Sequence, residues 1–167
     1  MDIRSFRFLC AVETFLLSPD KKEVLLMHRS RERDFLPDYY AGIGGKMDSK
    51  EHENPLEAAL REMKEESNYS SHEIRDLRLK AVITVFDRWG KWIVFEFTGQ
   101  VKRKKYKRRE VKKEGTLEWV SLDRLKNLKL IQDLRKGTLE KILFTKRFLW
   151  LKSIFNKKDR LVRFEIQ

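Results

Sequence analysis

Apolar positions in this chain fall into short dense runs near the start and into one helical stripe further on. The run "FRFLCAVETFLL" (6–17) and the shorter "EVLLMH" (23–28) are rich in apolar and β-favouring residues. The turn-like "SPDKK" between them predicts a strand hairpin. "RSRERDFLPDYYAG" follows as a loop broken by Pro37, and "AGIGG" reads as a short strand. Beyond it, Leu56, Ala59, Leu60, Met63 and Ser67 share one stripe at 3.6 periodicity, the face of a helix that meets a core. Asn54 is a good N-cap for that helix, Pro55 suits its first position, and Glu57 stands where a capping box needs it.

Downstream, "LKAVITVF" (79–86) and "KWIVFEFTGQV" (91–101) predict two strands joined by a turn at 87–90, and "TLEWVSL" predicts another. Residues 123–130 and 133–148 read as helical. "FLWLKSIF" and "RLVRFEIQ" around "NKKD" read as a final hairpin, although its first limb can also continue the helix. Strands and helices without regular βαβ repetition predict an α/β (α+β) fold, a mixed β-sheet with helices packed on it. With 167 residues and no repeat or linker, residues 1–167 are expected to form a single domain.

Composition adds two constraints. The single cysteine, Cys10, excludes an internal disulfide and fits a reducing compartment; inside its apolar run it reads as a small buried hydrophobe. No run is long enough for a membrane helix, and "MDIRSF" lacks the form of a signal peptide, so a soluble, cytoplasmic protein without membrane attachment is expected. The formal net charge of +12 points to anionic partners, phosphates or nucleic acid.

Against that basic background, "GGKMDSKEHENPLEAALREMKEESN" (44–68) concentrates acid. On a helical wheel of about 100° per residue, Glu65 and Glu66 fall within about 60° of Glu62. Three carboxylates therefore share one face beside the buried stripe, where their repulsion costs a few tenths of a kcal/mol per pair. A hard divalent cation with oxygen ligands removes that cost; a solvated helix balanced by Arg61 and Lys64 is the plainer alternative. Gly44 and Gly45 let the backbone approach a ligand closely.

Gly45, Glu53, Arg61, Glu62, Met63, Glu65 and Glu66 together resemble the Nudix box, G-x5-E-x7-R-E-U-x-E-E-x-G-U with U aliphatic. Two positions depart from it. Seven residues separate Gly45 from Glu53 instead of five, and Asn68 and Tyr69 replace the closing glycine and aliphatic residue. The upstream strands, "GIGGK" and "LEWVSL" extend the resemblance over most of the chain.

The resemblance implies a Nudix-type α/β/α sandwich. It implies an Mg²⁺-dependent hydrolase of phosphorus-containing anhydrides, with Mn²⁺ able to substitute. Glu62, Glu65 and Glu66 would hold the metal, helped by the Gly44 carbonyl and by Glu114 in the loop before the "EW" strand, with Glu110 in reserve. Arg61 would pair with Glu53 and fix the loop on the helix. Glu62, Glu65 and Glu114 all remain candidates for the general base. Gly45, Lys46 and Tyr40 are expected at the substrate. Asp133 matches an acidic base-reading residue that opens the penultimate helix in purine-specific relatives, while Ala41 stands where those relatives often have a base-reading asparagine.

The "GTLEWVSLDRL" ending is similar to the MutT-like branch, which cleaves nucleoside triphosphates, some of them oxidised, to a monophosphate and pyrophosphate. ADP-ribose or dinucleoside polyphosphate hydrolysis, RNA 5′-end pyrophosphohydrolysis and a non-catalytic nucleotide- or RNA-binding module are the alternatives. The basic run "VKRKKYKRREVKK" (101–113) reads as a solvated hairpin or loop, or as a track for an RNA backbone. The oligomeric state stays open between monomer and homodimer.

Overall fold

The computed structural model describes residues 8–51, 54–135 and 137–167. Its elements run β1 (Leu9–Leu17), β2 (Glu23–Arg29), β3 (Tyr40–Ala41), β4 (Ile43–Lys46), α1 (Pro55–Ser67), β5 (Ile74–Asp87) and β6 (Gly90–Val101). They continue with β7 (Arg108–Val111), β8 (Gly115–Ser121), α2 (Thr138–Phe144), β9 (Leu149–Phe155) and β10 (Leu161–Ile166). The strands form one sheet ordered β10-β9-β5-β6-β1-β2-β8-β7, with β3 on β2 and β4 on β1. The β1–β6 and β5–β9 pairs are parallel and the other pairs antiparallel, so the sheet is mixed as expected.

β1 explains the layering. Phe15 and Leu17 point to one face, where they meet Leu26, Ile83, Val85, Leu151 and the α2 residues Leu139, Ile142 and Leu143. Val12 and Leu16 point to the other, where α1 supplies Ala58, Ala59 and Met63. A strand buried on both faces reads as a continuous apolar run, which is why "FLCAVETFLL" shows no clean alternation. Cys10 packs at the edge of the α1-side core, and burial pushes its thiol pKa up. The chain is thus an α/β/α sandwich. No helix among the described residues is long and apolar enough to cross a membrane.

The first hairpin splays open. β1 pairs with β2 only at Leu16↔Leu25 and Leu17↔Val24; its earlier half turns to β4, from Ala11↔Lys46 to Thr14↔Ile43. β4 crosses so close to β1 that a Cβ on Gly44 would lie 2.0 Å from the Val12 carbonyl oxygen. Only glycine fits there, and this crossing brings the double glycine beneath α1.

α1 starts and stops as its sequence predicts. The Asn54 side chain accepts from the Glu57 amide at 3.4 Å, Pro55 opens the helix, and Asn68 takes the left-handed conformation (φ 58°) with its N–H on the Lys64 carbonyl. Its buried side differs from the predicted stripe. Leu56 is exposed, while Ala58 and Glu66 are buried.

Further on, residues 122–127 form a 3₁₀ segment instead of an α-helix, and the helix expected over 133–148 shrinks to Thr138–Phe144. Gly137 in a left-handed conformation (φ 77°) starts the helix late, and pairing of Leu149 with Ala81 claims the chain for β9. The last two strands form the expected hairpin.

Candidate active site

The carboxylates of α1 separate by depth. Glu66 lies inward, 6 % exposed, and accepts a hydrogen bond from the Gly44 amide at 3.2 Å. Glu62 sits against Gly45, whose added Cβ would come within 2.5 Å of the Glu62 Oε1. Glu65 stands at the solvent rim, its side chain 59 % exposed. The wheel therefore placed the three on one side correctly, but Glu66 is buried by β4 and not exposed.

Arg61 binds across the pair. Its Nη1 donates to the Glu62 Oε1 at 2.9 Å and to the Glu65 Oε2 at 3.1 Å, and its Nη2 reaches the Lys46 carbonyl at 3.4 Å. The expected Arg61–Glu53 contact cannot be placed, because Glu53 lies outside the described residues, as does His52. Lys46 contributes its carbonyl to Arg61, while its residue is exposed.

Glu114 comes from the β7–β8 turn. The Ser30 amide donates to its carbonyl at 2.8 Å, and Arg33 Nη1 donates to its Oε1 at 2.7 Å. Gly115 (φ 144°) lets this turn pass the end of β2, where a Cβ would lie 2.1 Å from the His28 carbonyl oxygen.

Electrostatics ties these groups together. Burial first, then the charges of Glu62 and Glu114, push the Glu66 pKa up to about 8. Burial also raises Glu62, with Glu65 and Glu114 adding to the rise against the opposing pull of Arg61. Arg29, at the end of β2, is a cation the sequence reading passed over. Its guanidinium donates to the Phe35 carbonyl from Nε and Nη2, and it interacts with Glu13, Glu114 and Glu66. The available signal was a lone arginine closing the apolar "EVLLMHR", directly opposite Gly115 in the β2–β8 register.

Two expected substrate residues lie on the other face of the sheet. Tyr40 packs against the α2-side core, stacks on His28 with ring centroids 4.5 Å apart, and donates its hydroxyl to the Glu118 Oε1 at 2.5 Å. Burial and that carboxylate push its pKa up to about 12. Asp133 does not open α2, which begins at Thr138. It is 8 % exposed, accepts from the Ser153 hydroxyl at 3.3 Å, and neighbours Glu13 and Glu96. Burial and Glu13 push the Asp133 pKa up to about 7.

Among the described residues, no three His, Cys, Asp or Glu side chains converge closely enough to form a ready-made metal cage. The residues present nevertheless fit a hard cation. Burial, and behind it the charges of neighbouring carboxylates, raises the proton affinity of Glu62 and Glu66, which marks a local excess of negative oxygen, and Glu62, Glu66 and Glu114 all offer the ligand type Mg²⁺ prefers.

The sequence matches the NUDIX domain family over residues 9–142. A comparison with curated proteins finds no match. Among solved structures, a mutator MutT protein from Bacillus halodurans is similar with a TM-score of 0.74 at 21 % identity, covering 96 % of this chain and 98 % of that one. The NUDIX domain of Shewanella oneidensis NrtR, complexed with ADP ribose, has a TM-score of 0.64 at 18 % identity, with 85 % and 94 % covered. A MutT protein from Methanosarcina mazei Go1 has a TM-score of 0.57 at 22 % identity, with 74 % and 84 % covered. Identities this low speak for a shared fold.

Proposed function

The chain belongs to the NUDIX family of pyrophosphohydrolases, and we propose that within it the protein is an Mg²⁺-dependent enzyme cleaving a nucleoside triphosphate to the monophosphate and pyrophosphate. The observation that carries this reading is the pair of contacts between α1 and the double glycine. Glu66 is tied to the Gly44 amide and Glu62 is seated on Gly45, so two acids are brought together at one backbone crossing. Glu62, Glu65, Glu66, Glu114 and the Gly44 carbonyl would hold the cation. When bound, it neutralises diphosphate oxygens and lowers the pKa of water.

In the hydrolysis, a water oxygen forms a bond to phosphorus, the bridging oxygen leaves with pyrophosphate, and the water's proton passes to a carboxylate. Glu65 and Glu114 are the carboxylates assigned to take that proton, and their side chains, 59 % and 32 % exposed, support the assignment. Arg61 orients Glu62 and Glu65 through one shared nitrogen. Arg29 supplies positive charge beside Glu66 and Glu114, a suitable partner for a phosphate oxygen.

The test is a hydrolysis screen with Mg²⁺ and then Mn²⁺ over canonical and oxidised nucleoside triphosphates, ADP-ribose, dinucleoside polyphosphates and 5′-triphosphate RNA. Wild type runs beside Glu65→Gln, with products separated. Pyrophosphate and a monophosphate from wild type alone are expected. Turnover confined to ADP-ribose, dinucleoside polyphosphates or RNA ends moves the enzyme to that substrate class. Nucleotide binding without any turnover identifies a binding module.

A further inference from the structure

The basic run between β6 and β7 is tied to the C-terminal end of α1. Arg109 Nε donates to the Glu66 carbonyl at 2.9 Å, Tyr106 Oη to the Ser67 carbonyl at 2.9 Å, and Lys105 Nζ to the Asn68 carbonyl at 2.7 Å. Three successive carbonyls at the end of one helix are thus met from one segment, residues 102–109. The final carbonyls of a helix have no partner within it, so this segment satisfies groups that would otherwise need water.

The anchoring is reciprocal. Tyr69, fully buried just past the helix, donates its hydroxyl to the Arg103 carbonyl at 3.1 Å and accepts the Lys105 amide at 2.9 Å. The Tyr69 and Tyr106 rings lie 6.0 Å apart at 45°. Lys105 also pairs with Glu73 at 2.6 Å, which fixes the ammonium in place.

The charge pattern gives the arrangement a purpose. A helix C-terminus carries partial negative charge and disfavours acids, yet Glu62, Glu65 and Glu66 occupy the last two turns of α1. Lys105 and Arg109 bring positive charge to that end, and Arg109 holds the main chain of Glu66 itself. A solvated charge run would leave these side chains free of such contacts.

We propose that Tyr106 and Arg109 act as a positioning strap, fixing the last turn of α1 and so the direction of Glu65 and Glu66 toward the cation. The inference rests on the proposed metal-dependent hydrolysis. Neither residue touches the substrate; both act through the helix backbone. Groups that orient metal ligands in this way commonly change affinity or activity by about 10–100-fold when removed.

The experiment uses full-length wild type, Tyr106→Phe, Arg109→Gln and a charge-removal control, Lys107→Ala. Mn²⁺ binding without nucleotide is read by electron paramagnetic resonance of free Mn²⁺, with thermal melting, kcat and KM measured alongside. Tyr106→Phe and Arg109→Gln are expected to weaken Mn²⁺ binding about tenfold and to lower kcat, with KM at saturating metal and the Lys107→Ala values unchanged. Variants that melt lower but bind Mn²⁺ and turn over like wild type would make the strap a simple helix cap and overturn the proposal. Equal losses in Lys107→Ala would also overturn it, by assigning the effect to general charge. Wild type that neither binds Mn²⁺ nor hydrolyses any nucleotide overturns the proposed function and this inference with it. Intact wild-type chemistry with unaffected variants overturns only the strap.

Discussion

Glu13 and Glu96 are register partners across the parallel β1–β6 pair, side by side on the α2 face of the sheet, and Glu96 is 1 % exposed. Neither oxygen of Glu96 meets a donor among the described residues, whereas Glu13 accepts the Gly42 amide at 2.5 Å. The two carboxyl groups can hydrogen-bond only if one keeps its proton. Burial, then the charge of Glu13, raises the Glu96 pKa well above the usual carboxylate range, so Glu96 is the proton holder and Glu13 the acceptor.

A pH dependence follows from that pairing. Glu96 and Asp133 both have folded-state pKa values raised above their unfolded ones, Asp133 to about 7. Their contribution to stability is fully present below about pH 4, where both states are protonated, and is lost as the pH rises through the folded values. Glu96→Gln mimics the protonated form. Its melting temperature should match wild type at pH 5 and exceed it at pH 8 by roughly 2–4 °C, equivalent to about 1 kcal/mol. A variant that melts lower at both pH values would show that the proton is not held there.

The two glycines of the double-glycine pair should fail differently. A Cβ on Gly44 collides with main chain of β1, which cannot move without breaking the sheet, so Gly44→Ala should destabilise the fold by about 3 kcal/mol. A Cβ on Gly45 collides with the end of the Glu62 side chain, which can swing away. Gly45→Ala should therefore melt close to wild type yet lose about 10–100-fold in kcat. Circular dichroism melting and steady-state kinetics on the two variants separate these outcomes; equal stability losses would contradict the assignment.

α1 was legible because its signals are local. The Asn54 cap, Pro55 and the acid spacing all act within a few residues, and Asn68 takes the left-handed cap its side chain tolerates. The burial of Glu66 was not legible, since it comes from β4 crossing β1, a pairing between segments some thirty residues apart in sequence. The same reason applies to the basic run. As a sequence it is a solvated face, and only Tyr106 and Arg109 landing on α1 makes it something else. The long helix expected over 133–148 failed for tertiary reasons too, because β5 recruits Leu149 into a strand. Asp133 was singled out for the start of that helix and instead occupies a buried acid group against Ser153.

Arg33 and Glu114 form an ion pair that competes with any cation for the same carboxylate. Both side chains are about a third exposed, so the pair is worth no more than ~1 kcal/mol to stability. Arg33→Ala should leave the melting temperature nearly unchanged and lower the Mg²⁺ concentration needed for half-maximal activity, because Glu114 is released. In a Glu114→Gln background the Arg33 substitution should have no further effect on that midpoint. Additive shifts in the double variant would place Glu114 outside the metal site.

Glu66→Gln sets stability against function most directly. Glu66 is buried beside Glu62 and near Glu114, and its side chain accepts the Gly44 amide at 3.2 Å, a bond a glutamine oxygen can keep. In metal-free buffer the substitution removes like-charge repulsion and desolvation of a carboxylate, so the variant should melt at or above the wild-type temperature. Addition of Mn²⁺ should raise wild-type stability by mass action, about 2.7 kcal/mol at a hundred times Kd, and leave the variant nearly unmoved. Hydrolysis should fall by at least about 100-fold in the variant. A Glu66→Gln protein that gains as much stability from Mn²⁺ as wild type would place the cation elsewhere, and with it the chemistry assigned to the end of α1.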